Sequence, residues 1–184
     1  MYTTHAGMDF NDAGQSPDSD LIPAGTVAKV VIAIRPGGSG LGGWLTESKT
    51  SDVEYLNCEF TLLDGTYARR KFWQNMAVAG GKLDEHGQPK GWIITRAALR
   101  AMLDSAMGLD PDDNSPEARQ KRITADWGSF NGLEFTARIG IEKGKYGYPD
   151  KNRLQGVVTR AAGKGKRANG AARPSAGHDH KPPF

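Results

Sequence analysis

Alternation of apolar and polar side chains is the dominant pattern in the middle of the chain. From Thr26 to Arg35, for example, every second residue is apolar while Lys29 and Arg35 lie between them. A period of two is typical of a strand with one buried and one solvated face. The same period recurs in four more segments, so the sequence predicts five strands: residues 26–35, 53–63, 67–76, 133–141 and 153–159.

The second and third strands are predicted to form a hairpin, because Asp64-Gly65 between them is a turn signal. Their apolar positions point inward: Leu56, Cys58, Phe60, Leu62, Phe72 and Met76. Their other positions point outward: Tyr55, Asn57, Glu59, Thr61, Tyr67, Arg69, Lys71 and Trp73. An alternative for Trp73 is a core position at a twisted corner of the sheet.

Helical spacing appears once over a long segment. Thr95 has the residue type of an N-cap, the following residues carry an apolar stripe, and Gly108 is placed to end the helix after Met107. Ser115-Pro116-Glu117 predicts a second, short helical turn. Residues 36–43, which are rich in glycine, and the polar residues 80–91 are predicted to be loops.

The order of these elements predicts the fold class. Three strands, one helix and two strands are the layout of an OB-fold, a five-stranded Greek-key barrel. The sequence therefore predicts a mostly β domain over residues 21–159, with an acidic, flexible segment over 1–20 and a disordered basic tail over 160–184. The overall formal charge is only +3, so any anionic ligand must be recognised by where the cations lie.

Several function classes are disfavoured. The only cysteine, Cys58, is predicted to point inward, which argues against a disulfide, a cysteine zinc site and a thiol nucleophile. The four histidines and two acidic clusters fall in loops or tails, and no phosphate-binding GxxxxGK[ST] run occurs. We therefore expect no catalytic activity, no metal and no cofactor. The N-terminus lacks a signal-peptide pattern and no apolar run approaches about 20 residues, so we expect a cytoplasmic protein.

Candidate binding residues follow from the predicted fold. OB-folds bind oligonucleotides on strands 2 and 3, between the loop joining strands 1 and 2 and the loop joining strands 4 and 5. Aromatic rings can stack on unpaired bases, and cations can bind phosphates. These positions carry both kinds of side chain: Trp44, Lys49, Tyr55, Arg69, Lys71, Trp73, Lys143, Lys145, Tyr146, Tyr148, Lys151 and Arg153. Taken alone, the loop over 143–153 is equally compatible with a hairpin whose tyrosines fold back on the core.

Two stretches carry a family resemblance. Residues 55–60 (YLNCEF) and 65–73 (GTYARRKFW) resemble the core of phage and prophage single-stranded DNA-binding proteins, long described as a domain of unknown function. The helix over 96–108, Asn131-Gly132-Leu133, and Gly144-Lys145-Tyr146 followed by Asn152-Arg153 fit in the same order, over roughly residues 8–159. The resemblance implies an OB-fold that coats single strands during phage replication or recombination in a bacterial host cell. The glycine insert over 36–43 and the basic tail depart from that pattern.

The partner of the domain is expected to be single-stranded DNA, and RNA remains an alternative. A second alternative is an OB-like protein-interaction or virion-assembly module, whose aromatics would be interface anchors. The terminal Pro183 and Phe184 resemble the tip by which bacterial single-strand binders dock replication or recombination proteins, although the acidic run of such tips is missing. The sequence leaves open whether the protein is a homo-oligomer.

Overall fold

The computed structural model describes residues 20–160, and these form an antiparallel sheet with one main helix. The strands are β1 (Val27–Arg35), β2 (Thr46–Glu47), β3 (Glu54–Leu62), β4 (Lys71–Ala79), β5 (Glu134–Glu142) and β6 (Lys151–Val157). The helices are α1 (Lys90–Met107) and α2 (Pro116–Lys121), and two 3₁₀ turns span Leu41–Gly43 and Trp127–Phe130. The predicted β-rich domain with a helix between its third and fourth long strands is therefore present.

The strand order is β2-β3-β1-β5-β6, and β4 pairs with the other side of β3. The two outermost long strands, β4 and β6, approach each other without forming a backbone ladder. A side chain spans the gap instead, because Gln74 Oε1 accepts a 2.9 Å hydrogen bond from the backbone N–H of Leu154. The sheet is thus a curved six-stranded sheet that is not closed, and the five-stranded count of the prediction is wrong because the two-residue β2 adds a strand too short to show a period of two.

The inward faces predicted from the alternation form the core. The apolar residues of β1, β3 and β5 are almost completely buried, and Phe60 lies at the centre. Its ring stacks on Phe72 at 4.9 Å between centroids and meets Phe135 edge-on at 6.2 Å. The apolar stripe of α1, including the buried Leu99 and Met102, packs against β4, β5 and β6. These contacts confirm the predicted inward faces of β1, β3, β4 and β5.

The third predicted strand begins four residues too early. Residues 67–70 form a turn, and β4 begins only at Lys71. Arg69 adopts a left-handed conformation with φ of 69°, and its N–H bonds to the carbonyl of Leu62 at 2.7 Å. The alternation of Tyr67 and Arg69 continued the polar face of the strand in sequence, so the pattern alone could not show this turn.

The predicted helix start is also wrong. α1 begins at Lys90, after Pro89, and Thr95 is a buried residue within the helix rather than its N-cap. The early start is possible because Gly91 has no side chain where α1 meets β4; a Cβ there would lie 2.7 Å from Ala77 Cβ. The predicted end is confirmed, since Gly108 adopts a left-handed C-cap conformation with φ of 64°.

Two further predictions of local structure can be checked. Ser115 caps the N-terminus of α2, and its hydroxyl accepts a bond from Ala118 N–H at 3.2 Å, as expected for the predicted helical turn. Across residues 20–160, none of the helices has the length and apolar character that a membrane crossing requires.

Candidate nucleic-acid interface

The outward sides of β1, β3 and β4 form one continuous surface, which we call the sheet face. Cross-strand pairing places Glu59 opposite Trp73, Asn57 opposite Asn75, and Tyr55 opposite Ala77. Arg35 at the end of β1 pairs with Asn57, and Lys71 at the start of β4 pairs with Thr61. The structure therefore brings three predicted site residues, Tyr55, Lys71 and Trp73, onto one side of two neighbouring strands.

Glu59 lies at the centre of this surface. Its Oε2 accepts a 2.6 Å hydrogen bond from Arg35 Nη2 and a 3.0 Å bond from the indole N–H of Trp73. Its Oε1 accepts a hydrogen bond from Lys71 Nζ. Because these side chains cover it, Glu59 is only 7% exposed although it points away from the core. One carboxylate thus holds two cations and one aromatic ring in place.

The charges around Glu59 change its acidity. The Lys71 ammonium, followed by the Arg35 guanidinium, lowers the pKa of the Glu59 carboxyl from 4.5 to about 2. The carboxylate is therefore ionised at neutral pH. Two cations against one carboxylate leave the cluster with a net positive charge, and both cations stay partly exposed to solvent.

Trp73 is an outward-facing ring on the sheet face. It is 50% exposed, so it does not occupy the core position that was the alternative for it. Its bond to Glu59 uses only the N–H edge of the indole, which leaves the π faces available for other contacts. Tyr55 is half-buried and pairs with Thr46 of β2 on one side and with Ala77 on the other.

The tip of the β5–β6 hairpin carries the most exposed aromatic rings among the described residues. Tyr146 is 97% exposed and Tyr148 is also exposed, so neither folds back on the core. Tyr146 adopts a left-handed conformation with φ of 55°, and the tip surrounds a shallow cavity of about 450 Å³. Large rings held in solvent at a hairpin tip are available for stacking on a ligand.

Two of the three lysines at this tip have acidic partners. Lys143 Nζ lies 2.6 Å from Asp150 Oδ2, and Lys151 Nζ lies 3.4 Å from Glu142 Oε2. Lys143 and the backbone N–H of Gly144 together lower the pKa of Asp150. Lys145 makes no ion pair within residues 20–160. The charge that the tip can offer to a phosphate is therefore smaller than the lysine count suggested.

The glycine loop, residues 36–45, offers fewer side chains for ligand binding than predicted. Trp44 is half-buried and packs against the core, with its ring so close to Gly128 that a Cβ there would lie 2.6 Å from Trp44 Cζ2. This tryptophan is a packing residue of the loop. Lys49 is exposed in the segment between β2 and β3.

The two loops flank the sheet face at opposite ends. The glycine loop lies at the Tyr55 end, because β2 follows it and pairs with the start of β3. The hairpin tip lies at the Lys71 end. There the segment 20–22 connects the start of β4 with the start of β6. Arg70 Nη2, just before β4, donates to the carbonyl of Asp20, and Asn152 Nδ2 of β6 donates to the carbonyl of Ile22 at 2.7 Å.

The remaining predicted cations also lie toward the Lys71 end. Arg69 is exposed in the β3–β4 turn. Arg153 is exposed on β6, next to Leu154, whose N–H bonds to Gln74 beside Trp73. Arg153 and Trp73 are thus at about the same level on neighbouring strands. The predicted partner residues Pro183 and Phe184 lie outside the described residues.

Sequence reasoning missed two members of the cluster, Arg35 and Glu59. Both were assigned to outward faces, but neither was included among the candidate site residues. The pairing of β1 with β3 brings them together, and a single sequence does not show that pairing directly. One signal in the sequence could have identified Glu59: it is the single acid among the outward aromatic and basic residues between Tyr55 and Trp73.

Cys58 is completely buried, as its inward position predicted. Burial raises the pKa of the Cys58 thiol to about 12, so the reactive thiolate is scarce at neutral pH. The acidic loop over 110–113 is engaged in its own turn, since Asp110 Oδ1 accepts from the N–H of Asp112 and Asp113 Oδ1 accepts from the N–H of Ser115.

The sheet face and the hairpin tip thus combine open aromatic rings with partly neutralised cations, and this geometry is the basis for assigning a function. No protein-family model matches this chain, and no curated protein sequence matches it.

Proposed function

We propose that this protein binds single-stranded DNA without sequence specificity and without catalysing a reaction. In this proposal, bases stack on Trp73, Tyr55 and the tyrosines of the hairpin tip. Phosphates meet cations on and around the sheet face and the hairpin tip: Lys49, Arg69, Lys71, Lys143, Lys145, Lys151 and Arg153. Coating of single strands during phage or prophage DNA replication or recombination is the biological role that we assign to this binding.

The observation that carries the proposal is the environment of Trp73. A half-exposed indole has its N–H bound by a buried carboxylate, and two cations bound to the same carboxylate lie beside it. Fixing the ring before a ligand arrives lowers the entropy cost of stacking a base on it. Exposed rings with adjacent cations are the ingredients of a surface that binds single strands through stacking and backbone charge.

The strand order supports an OB-like barrel as the finer description of the fold. Leaving β2 aside, β3 pairs with β1 and β4, β5 pairs with β1 and β6, and α1 lies between β4 and β5. In OB-folds the ligand lies on the second and third strands of this order, which here are β3 and β4. The proposed binding surface therefore coincides with the position that such a barrel uses.

The experiment is a fluorescence anisotropy titration of a labelled dT oligonucleotide at several salt concentrations. We expect saturable binding that weakens with salt, as phosphate contacts release counterions. Trp73→Ala should weaken binding by about 1–3 kcal/mol, the contribution of one stacking partner. Trp73→Phe is the matched control, because it removes the indole N–H and keeps an aromatic face; it should retain most of the affinity.

Three outcomes would contradict the proposal. Equal affinity for a duplex and for its separated strands would exclude a stacking surface, since the bases of a duplex are not free to stack on protein rings. Wild-type-like binding by a folded Trp73→Ala variant would show that the sheet face is not the binding surface. Absence of any binding to single strands would leave the exposed aromatics as anchors for a protein partner.

A further inference from the structure

A second concave site lies outside the sheet face, between α1, α2 and the turn Trp127–Phe130. It has a volume of about 410 Å³, within the range of small-ligand pockets. Among residues 20–160, no carboxylate lines this cleft. Its walls carry two aromatic rings and four guanidinium groups: Trp92, Trp127, Arg96, Arg100, Arg119 and Arg122.

Two of these arginines are explained by the fold. Arg122 Nε donates to the buried Asp104 at 2.6 Å, and its two terminal nitrogens donate to backbone carbonyls of the loop over 110–113. Arg100 Nη2 donates to the carbonyl of Pro111 at 2.9 Å, and its Nε lies 3.8 Å from Asp104. They tie α1 to the loop before α2, and Asp104 offsets part of their charge.

The other two arginines have no such role. Arg96 of α1 and Arg119 of α2 are exposed, and their side chains form no ion pair or hydrogen bond with any residue from 20 to 160. Arg96 also lies one turn before Arg100 on the same helix, a spacing at which like charges repel. Packing of the described domain therefore gives no reason for placing these two guanidinium groups on one cleft, whereas a bound anion would offset their charge.

The aromatic part of the cleft restricts the kind of anion. The rings of Trp92 and Trp127 meet edge-to-face, with centroids 6.0 Å apart and planes at 89°, and both are only partly buried. A flat group can lie on such rings while guanidinium groups bind an adjacent phosphate bidentately. We propose that this cleft binds a nucleotide unit, with its phosphate between Arg96 and Arg119 and its base against the tryptophans.

The cleft lies next to the Tyr55 end of the sheet face. Tyr55 pairs with Ala77, Gly91 packs closely on Ala77, and Trp92 of the cleft follows Gly91. On the other side, Trp44 of the glycine loop packs on Gly128, which follows Trp127. A single strand leaving the sheet face at this end therefore reaches the cleft directly, and we assign the nucleotide to that strand; this step rests on the proposed function.

The test uses the full chain with two substitutions, Arg96→Gln and Arg119→Gln. Neither side chain has a hydrogen-bond or ion-pair partner among residues 20–160, so the variant should fold, which circular dichroism checks. A double variant with Arg138→Gln and Lys82→Gln is the control, because it removes the same charge from exposed positions elsewhere. Affinity is measured for dT oligonucleotides of about 8 and about 25 nucleotides, one within and one beyond the roughly 4–16 nucleotides that one OB fold covers. Binding of dTMP is measured separately by calorimetry.

We expect the cleft variant to bind the long oligonucleotide about tenfold more weakly, with a salt slope shallower by about 0.7, because the two guanidinium groups share one phosphate. The short oligonucleotide should bind as it does to the wild type. If the cleft variant loses dTMP binding but binds the long oligonucleotide as the wild type does, the ligand of the cleft is a free nucleotide and not a unit of the bound strand. If the wild-type protein binds dTMP but no single strand, the proposed function is refuted, whereas the inference that the cleft binds a nucleotide stands. The inference is overturned if the cleft variant matches the control with every ligand.

Discussion

Replacement of Glu59 by glutamine is the most informative single change on the sheet face. Glutamine keeps the size and one acceptor oxygen but removes the charge that holds Lys71 and Arg35. A carboxyl pKa lowered from 4.5 to about 2 corresponds to at most about 3.4 kcal/mol of stabilisation, at 1.36 kcal/mol per unit. Both cations are partly solvated, so screening reduces this value, and we expect Glu59→Gln to lower the free energy of unfolding by about 1–2 kcal/mol.

The loss should depend on pH in a defined direction. Since the folded pKa lies below the unfolded one, the unfolded chain binds more protons between pH 4.5 and 2. The stabilisation is therefore fully present above about pH 4.5 and disappears as the pH falls toward 2. Linkage with these two pKa values leaves about 40% of the contribution at pH 3.

Urea unfolding of the wild type and of Glu59→Gln at pH 7 and pH 3 measures this effect. The matched control is Glu134→Gln, which removes a carboxylate paired with Lys29 on an exposed part of the sheet. We expect little change for the control at either pH, because exposed pairs contribute little. A destabilisation by Glu59→Gln that is equal at pH 7 and pH 3 would refute the role given to the charge of this carboxylate.

Three other substitutions or reactions test separate parts of the structure. Tyr146→Gly should leave stability unchanged or raise it by up to about 1 kcal/mol, because glycine tolerates the φ of 55°, yet it should weaken oligonucleotide binding in a titration. Asn152→Ala removes a buried side chain that bonds to Ile22 N, Ile22 O and Gly140 O, so thermal unfolding should show a loss of about 2–4 kcal/mol. The Cys58 thiol should react with a thiol reagent only on unfolding, and fast labelling of the folded protein would contradict its burial.

The strands were predictable from the sequence because their alternation reflects burial directly. Val30, Ile32 and Phe60 are completely buried where the period of two placed them, and the outward positions of Lys71 and Trp73 followed from the same count. Each strand has one face on the core, so a shift of one residue would have exposed every apolar side chain. The pattern therefore fixes which residues of each strand face the core.

The turn at Arg69 and the start of α1 could not be predicted in the same way. Arg69 occupies a left-handed position in which glycine is usual, and its place in the polar alternation concealed the turn. The first turn of α1 contains Gly91, a poor helix former, and it is held by tertiary contact with Ala77. In both places long-range contacts decide the backbone, and local propensity indicates another conformation.

The candidate site was predictable in its residue types and less so in its charges. Trp73 and Tyr146 are exposed as the proposed stacking role requires. The acidic partners of the lysines were not predictable. Glu59 of β3 contacts Lys71 of the adjacent strand β4, and Asp150 contacts Lys143 across the hairpin tip. A sequence gives the number of cations in a region, whereas their availability depends on which acids the fold places beside them.

The ion pairs lead to a prediction about how single strands bind. Seven of the predicted site residues are cations, and three of them, Lys71, Lys143 and Lys151, already pair with carboxylates. A phosphate must compete with those carboxylates, so the strong contacts come from the four cations without an ion pair in residues 20–160: Lys49, Arg69, Lys145 and Arg153. For the oligonucleotide of about 8 nucleotides, which does not reach the cleft, log K should fall with log salt at a slope of about −3, at about 0.7 per phosphate contact, whereas seven free cations would give about −5.

A titration from low to high salt measures that slope directly, and Glu59→Gln provides the internal comparison. Freeing Lys71 and Arg35 should steepen the slope and raise affinity at low salt, while affinity at high salt changes little because stacking on Trp73 persists. If the slope of the wild type is already near −5 and Glu59→Gln leaves it unchanged, the carboxylates do not compete with phosphate. In that case the sheet face does not bind the strand through the cluster around Glu59.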